Sequence, residues 1–195
     1  MTGRIRVGVL ISGRGSNMAA LLRAAQDPAY PAEIAVVLSN NPDAAGLETA
    51  RAAGVEVRAI DHRGRDKASH EAELKTALQE AGVEVVALAG YMRLLSPVFV
   101  EAWRDRILNI HPSLLPKYPG LDTHRRALQA GDAEAGCSVH IVTEGVDEGP
   151  VLAQARVPIL PGDTEESLSA RVLAAEHKLY PAALAEFVSR RSGRR

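Results

Sequence analysis

Continuous apolar runs alternate along the chain with Ala-rich stretches dotted with charged side chains. The runs cover residues 6–11, 33–39, 55–60, 83–89 and 106–110. They are rich in Val, Ile and Leu, the pattern of strands covered on both faces. Helical spacing is predicted between them over 17–26, 43–53, 66–81 and 97–103. In the first of these, Met18, Leu21, Leu22 and Ala25 fall on one face. Gly46 inside the second works against a helix there, by about 1 kcal/mol relative to Ala. Strand and helix alternating in this way imply right-handed crossovers. The fold class expected is α/β, an open, mostly parallel twisted sheet with helices on both faces.

The pattern changes after residue 110. Pro112, Pro116 and Pro119 crowd residues 111–120, which read as an ordered loop. A short helix is predicted over 122–130. Strands follow over 136–143 and 151–159, separated by a turn at 144–150 rich in Gly, Asp and Pro. That spacing predicts an antiparallel or mixed addition to the sheet. The last helix is expected to start at Asp163, with Glu166 three residues on as a capping box. It runs through Leu168, Val172, Ala175 and Leu179 to Tyr180, and Pro181 is expected to kink or restart it. The Arg-rich tail 190–195 is expected to fray. With no repeat and no linker, residues 1–195 read as a single domain.

Composition narrows the function. A chain of 195 residues with 46% hydrophobic and 24% charged residues can build a core without staples. Lys+Arg number 23 and Asp+Glu 24, so the basic excess of a non-specific nucleic-acid binder is missing and no nucleic-acid partner is expected. No apolar run approaches the roughly 20 residues of a membrane span, and the first run reads as a strand, not a signal peptide. A cytoplasmic protein without membrane contact is expected. Cys137 is the only cysteine, which excludes an internal disulfide or a CxxC motif. Its apolar setting predicts a buried small hydrophobe. His62, His70, His111, His124, His140 and His177 are scattered without metal-ligand spacing, so no metal is expected.

Three segments carry chemistry. Ser12-Gly13-Arg14-Gly15-Ser16-Asn17 joins the first strand to the first helix. In open α/β sheets ligands bind outside the carboxyl ends of strands, and a helix N-terminus favours an anion. The segment lacks the Gly-Lys-Ser/Thr of a Walker loop. Met18 stands where a dinucleotide fingerprint has its third glycine. Gly15, Ser16 and Asn17 suit a single terminal phosphate, or alternatively a tight turn with a Ser or Asn cap. Asn109 and His111 lie two apart at a strand end, so both point to one face. An Asn amide and an imidazolium can stabilise an oxygen gaining charge, or the pair can simply satisfy backbone groups around the prolines. Asp147, in its glycine-bounded turn, can pair with His111 or serve as an Asx-turn residue.

The order Gly-Arg-Gly-Ser-Asn, Gly-Tyr-Met-Arg-Leu-Leu-Ser-Pro, Leu-Asn-Ile-His-Pro-Ser-Leu-Leu-Pro and Asp-x-Gly-Pro resembles the folate-dependent formyltransferases from about Val7 to Pro181. The resemblance implies a Rossmann-like formyltransferase fold. It also implies transfer of a formyl group from 10-formyltetrahydrofolate, a cosubstrate, to the amine of glycinamide ribonucleotide, without a metal. By motif position, Asn109, His111 and Asp147 correspond to the family's catalytic trio. Gly15, Ser16 and Asn17 correspond to its phosphate loop, and Glu176 to a carboxylate on the ribose. Met92, Arg93, Leu94 and Leu95, with Thr143, Glu144, Gly145 and Val146, correspond to the folate pocket. Lys67 corresponds to an arginine near the folate tail. Glu148 stands where many members have glycine. A deformylase using water and a methionyl-tRNA formyltransferase share the scaffold. Both normally carry a further domain, for which this length leaves no room. A non-catalytic folate- or nucleotide-binding module is the alternative of a different class.

Overall fold

The computed structural model describes residues 3–192. β1 (Ile5–Ile11) leads into α1 (Ser16–Ala25), β2 (Ala32–Ser39), α2 (Ala45–Ala52), β3 (Glu56–Ala59) and α3 (Lys67–Glu80). β4 (Val85–Leu88), α4 (Pro97–Ala102), β5 (Ile107–His111) and α5 (Thr123–Ala130) follow. β6 (Glu134–Ile141), β7 (Val151–Pro158) and α6 (Glu165–Ser192) complete the chain. The seven strands form one sheet in the order β3-β2-β1-β4-β5-β6-β7. The pairs from β3 to β5 are parallel and the last two are antiparallel. The fold class therefore agrees with the alternation in the sequence.

Alternate residues of the buried strands feed two cores. Val7, Val9 and Ile11 of β1 pack with Met18, Leu21, Leu168, Val172 and Leu184 from α1 and α6. Leu10 turns the other way, to Leu74 and Leu78 of α3 and Phe99 and Trp103 at α4. Cys137 is fully buried, as expected, and burial pushes its thiol up to about 12. The chain moves outward from β1 to β3 and then returns to β4 on the other side of β1. That reversal is the switch point where open α/β sheets bind ligands, between the loops after β1 and β4.

Four local expectations need correction. The 55–60 run shortens to the four residues of β3, which is half-exposed because it is an edge strand with one neighbour. The start of α6 is capped one residue later than the sequence indicated. Ser167 N–H donates to Thr164 Oγ1 at 3.2 Å, and Thr164 N–H donates to Ser167 Oγ at 2.9 Å. Asp163 is taken up by Arg171, at 2.7 and 2.9 Å. α6 also runs on through Pro181 as one 28-residue helix. Packing outweighs the single lost hydrogen bond: Tyr180, Ala183, Leu184 and Val188 are buried, and Tyr30 Oη donates to the Pro181 carbonyl at 2.7 Å. Of the tail, 190–192 remain helical. Arg190 pairs with Glu186, and the Arg191 guanidinium lies 5.5 Å from the Phe187 ring centroid. Residues 193–195 lie outside the described residues.

Candidate active site

The ends of β1 and β4 are tied together. Ser12 N–H donates to the Gly90 carbonyl at 3.2 Å, and Met92 N–H donates to Ser12 Oγ at 2.9 Å. Ser12 Oγ in turn donates to Asn40 Oδ1 at 2.6 Å. The Gly-rich loop and the 90–95 segment are thus adjacent, as their sequence positions implied. β4 also pairs with β5, with Leu88 opposite Asn109. The 90–95 segment therefore leaves the sheet beside Asn109 and His111. Met92 and Leu94 are 73% and 67% exposed there.

α1 starts at Ser16, with Gly15 at the cap position in the left-handed region at φ 68°. Neither Ser16 nor Asn17 caps the helix through its side chain. The first helical hydrogen bond runs from Ala19 N–H to the Gly15 carbonyl, 2.8 Å. The N–H groups of Ser16, Asn17 and Met18 precede it and keep the free orientation of a helix start. Asn17 behaves differently from the reading as a phosphate ligand. Its Nδ2 donates to Glu176 Oε2 at 2.7 Å, and its buried Oδ1 has no partner. Burial raises the Glu176 carboxyl above its ordinary range, and the Asn17 bond only partly offsets this.

Asn109, His111 and Asp147 converge around a residue that sequence reasoning missed. His111 Nδ1 lies 3.3 Å from Asp147 Oδ2, and His140 Nε2 lies 3.4 Å from Asp147 Oδ1. Asn109 Nδ2 is 3.3 Å from the same His140 Nε2. The His140 and Asp147 side chains are only 2% and 12% exposed. The signal for His140 lay in strand pairing: Asn109 faces His140, and His111 faces Ser138, across the antiparallel β5–β6 ladder. Ser138 fixes the proline loop behind them. Its Oγ donates to the Ser113 carbonyl at 2.7 Å and accepts from Leu115 N–H at 3.0 Å.

Asp147 is held by the loop across from it, not by an Asx turn. Gly120 N–H donates to Asp147 Oδ2 at 2.9 Å. Burial acts most strongly on its carboxyl, upward. The His140 hydrogen bond, the Gly120 N–H and the charges of His111 and His140 together outweigh burial and hold it below the usual range. Asp147 carries the turn's positive φ, 55°, and Glu148 does not, so the residue that replaces glycine at 148 meets no backbone demand for one. His111 Nε2 lies 2.9 Å from the Tyr118 carbonyl. Both ring nitrogens thus face oxygen acceptors, a setting in which a doubly protonated ring donates twice.

Of the remaining residues, Thr143, Glu144 and Val146 are exposed on the turn that carries Asp147, with Gly145 half-buried between them. Arg93 and Leu95 are half-buried. Lys67 is exposed at the start of α3, one turn before Glu71 on the same face. Glu71 Oε1 accepts from Ser96 N–H at 2.8 Å, so that face looks toward the end of the 90–95 segment. Among the described residues no group of three or more His, Cys, Asp or Glu is arranged to hold a metal ion, and no helix is long and apolar enough to cross a membrane.

Residues 5–184 match the family model described as Formyl transferase. The chain is 46% identical over 188 residues to the phosphoribosylglycinamide formyltransferase of Escherichia coli, covering 96% of this chain and 89% of that protein. It is 51% identical over 191 residues to the trifunctional purine biosynthetic protein adenosine-3 of Drosophila melanogaster; it spans only 14% of that relative's length. The crystal structure of phosphoribosylglycinamide formyltransferase from Brucella melitensis matches with a TM-score of 0.92 at 55% identity, covering 95% of this chain and 96% of that one.

Proposed function

The chain belongs to the formyl transferase family, and from that membership we propose that it moves a formyl group from 10-formyltetrahydrofolate to the primary amine of glycinamide ribonucleotide in purine biosynthesis. The observation that carries this reading is the convergence of Asn109, His111 and Asp147 beside the switch point. The exposed apolar side chains of Met92, Leu94 and Val146 fit a flat aromatic donor laid across the strand ends. Formyl-folate supplies the electrophilic carbon and a nitrogen leaving group.

The amine attacks that carbon, forming a C–N bond and placing negative charge on the former carbonyl oxygen. His111 and the Asn109 amide donate hydrogen bonds to that oxygen, an oxyanion hole made from side chains. For this, His111 Nε2–H turns from the Tyr118 carbonyl. Asp147 holds the His111 ring through Nδ1 and serves as the base through which the amine proton passes to the leaving nitrogen. The old C–N bond then breaks and the carbonyl re-forms. The N–H groups of Gly15, Ser16 and Asn17 hold the substrate phosphate. Glu176 holds the ribose, its Oε2 fixed by the hydrogen bond that Asn17 Nδ2 donates at 2.7 Å. Arg93, Leu95, Thr143, Glu144 and Gly145 complete the folate wall, and Lys67 attends the folate tail.

A spectrophotometric assay with formyl-folate tests the reading. Signal only when glycinamide ribonucleotide is added is the expected result. Signal with water alone makes the protein a deformylase, and no signal in either case makes it a binding module.

Glu176→Gln separates binding from stability. Because the folded carboxyl titrates above the unfolded one, folding takes up protons, and stability falls as pH rises from about 4.3 through the folded value. Above the folded value the penalty is fully present, and Gln removes it while still accepting from Asn17. The variant is expected to gain on the order of 1 kcal/mol, about 2–4 °C in Tm, at pH 7. That gain should vanish below about pH 4. Its KM for the ribonucleotide is expected to rise about tenfold. Melts across pH and steady-state kinetics check both; a lower Tm at pH 7 contradicts the burial argument.

A further inference from the structure

Gly46 stands in the first turn of α2, where it costs the helix about 1 kcal/mol relative to alanine. Its backbone is ordinary right-handed helix, so conformation does not demand glycine. Its surroundings do. Gly46 N–H donates to the Gly13 carbonyl at 3.0 Å. A Cβ at Gly46 would lie 2.6 Å from Ile11 Cδ1, 3.0 Å from the Gly13 carbonyl oxygen and 3.1 Å from the Arg14 carbonyl oxygen. A Cβ at Gly15 would lie 3.4 Å from Gly46 Cα. α2 therefore meets the β1–α1 loop backbone against backbone.

The contact has a direction. The Gly13 and Arg14 carbonyls both face α2. In a trans peptide the next N–H points the opposite way, so the Arg14 and Gly15 N–H groups point away from α2. They continue into the unbonded N–H groups at the start of α1. Successive N–H groups turned to one side form an anion-binding concavity. We propose that Gly46 is the positioning residue for this cradle: its bare Cα and its N–H set the tilt of two loop peptides so that their amides receive the substrate's phosphate. The proposal rests on the reading of the loop as a phosphate site and adds the residue outside the loop that shapes it.

Gly46→Ala tests this. The new methyl must push against two main-chain carbonyls, which cannot swing aside as a side chain does. The KM for glycinamide ribonucleotide is expected to rise about tenfold or more, with kcat and the KM for formyl-folate within about twofold of the parent. Inorganic phosphate, titrated against the Arg14 and Gly15 amide resonances, is expected to bind more weakly by a similar factor. The second variant, Gly46→Ala with Ile11→Val, removes the Cδ1 contact but keeps both carbonyl contacts. A KM that stays high in it supports the proposal. A return to the parent value shows that the effect ran through core packing and overturns it. Unchanged constants in Gly46→Ala, or a loss of kcat and Tm alone, also overturn it. If the single variant does not fold, the double variant carries the test by itself. If the parent binds phosphate at these amides but does not formylate the ribonucleotide, the functional reading fails and this one stands.

Discussion

Asp147→Asn is expected to lower kcat by about 10²–10⁴-fold while both Michaelis constants stay within about threefold of the parent. Asn has the same shape and keeps an oxygen for the Gly120 N–H, so the turn should remain docked. What disappears is the negative charge between His111 and His140. Without it, neither the carboxylate partner of His111 nor the proposed proton acceptor for the attacking amine remains. The folded carboxyl titrates below the unfolded one, near 3.9. Its contribution to stability is therefore complete above that unfolded value and is lost as pH falls through the lower folded value. The Tm difference between parent and variant should accordingly shrink as pH drops below about 4. Kinetics at saturation of both substrates, with melts from neutral pH downward, check this. Turnover near the parent's would remove Asp147 from the mechanism.

The sheet was legible because continuous apolar runs and helical spacing each answer to local geometry. Val7, Val9 and Ile11 had to be buried whichever neighbours they found, and that made β1 readable. The errors fall where tertiary contacts override local rules. Pro181 should kink or restart a helix by itself, but no restart occurs: the helix runs on through it, with Tyr180 and Leu184 buried on either side. Ser167 displaced Glu166 from the cap because Arg171 had claimed Asp163. Within the site, Asn109 and His111 could be paired by the two-residue period of one strand. For Asp147, pairing with His111 and an Asx turn stood side by side until the resemblance chose between them, since nothing local says which loop its turn will meet. His140 required knowing that β6 runs antiparallel to β5 and in what register. Gly46 is the sharpest case. Its sequence signal is a penalty within a helix, and the compensation lies in a loop more than thirty residues earlier.

His111→Gln is expected to lower kcat by about 10²–10³-fold, with substrate affinities nearly unchanged. In the proposed mechanism the donor it removes is worth most when the formyl oxygen is charged, so the loss belongs to the transition state and not to binding. The single variant cannot say whether Asp147 acts through His111 or takes the amine proton itself; the double variant can. Asp147 Oδ2 touches His111, while Oδ1 touches His140, which in turn reaches Asn109. If the carboxylate works through its contact with His111, its loss costs little once His111 is gone, and His111→Gln/Asp147→Asn should be about as slow as the slower single variant. If Asp147 is also the base for the attacking amine, the double variant should fall further, toward the product of the two losses. The structure favours a result between these limits, closer to the first. The His111 contact, at 3.3 Å, and the Gly120 N–H, at 2.9 Å, share one carboxylate oxygen, while the other is turned toward His140. Asp147 is thus engaged on both oxygens before any amine arrives. A fully multiplicative double variant would show that the amine displaces one of those contacts and meets the carboxylate directly.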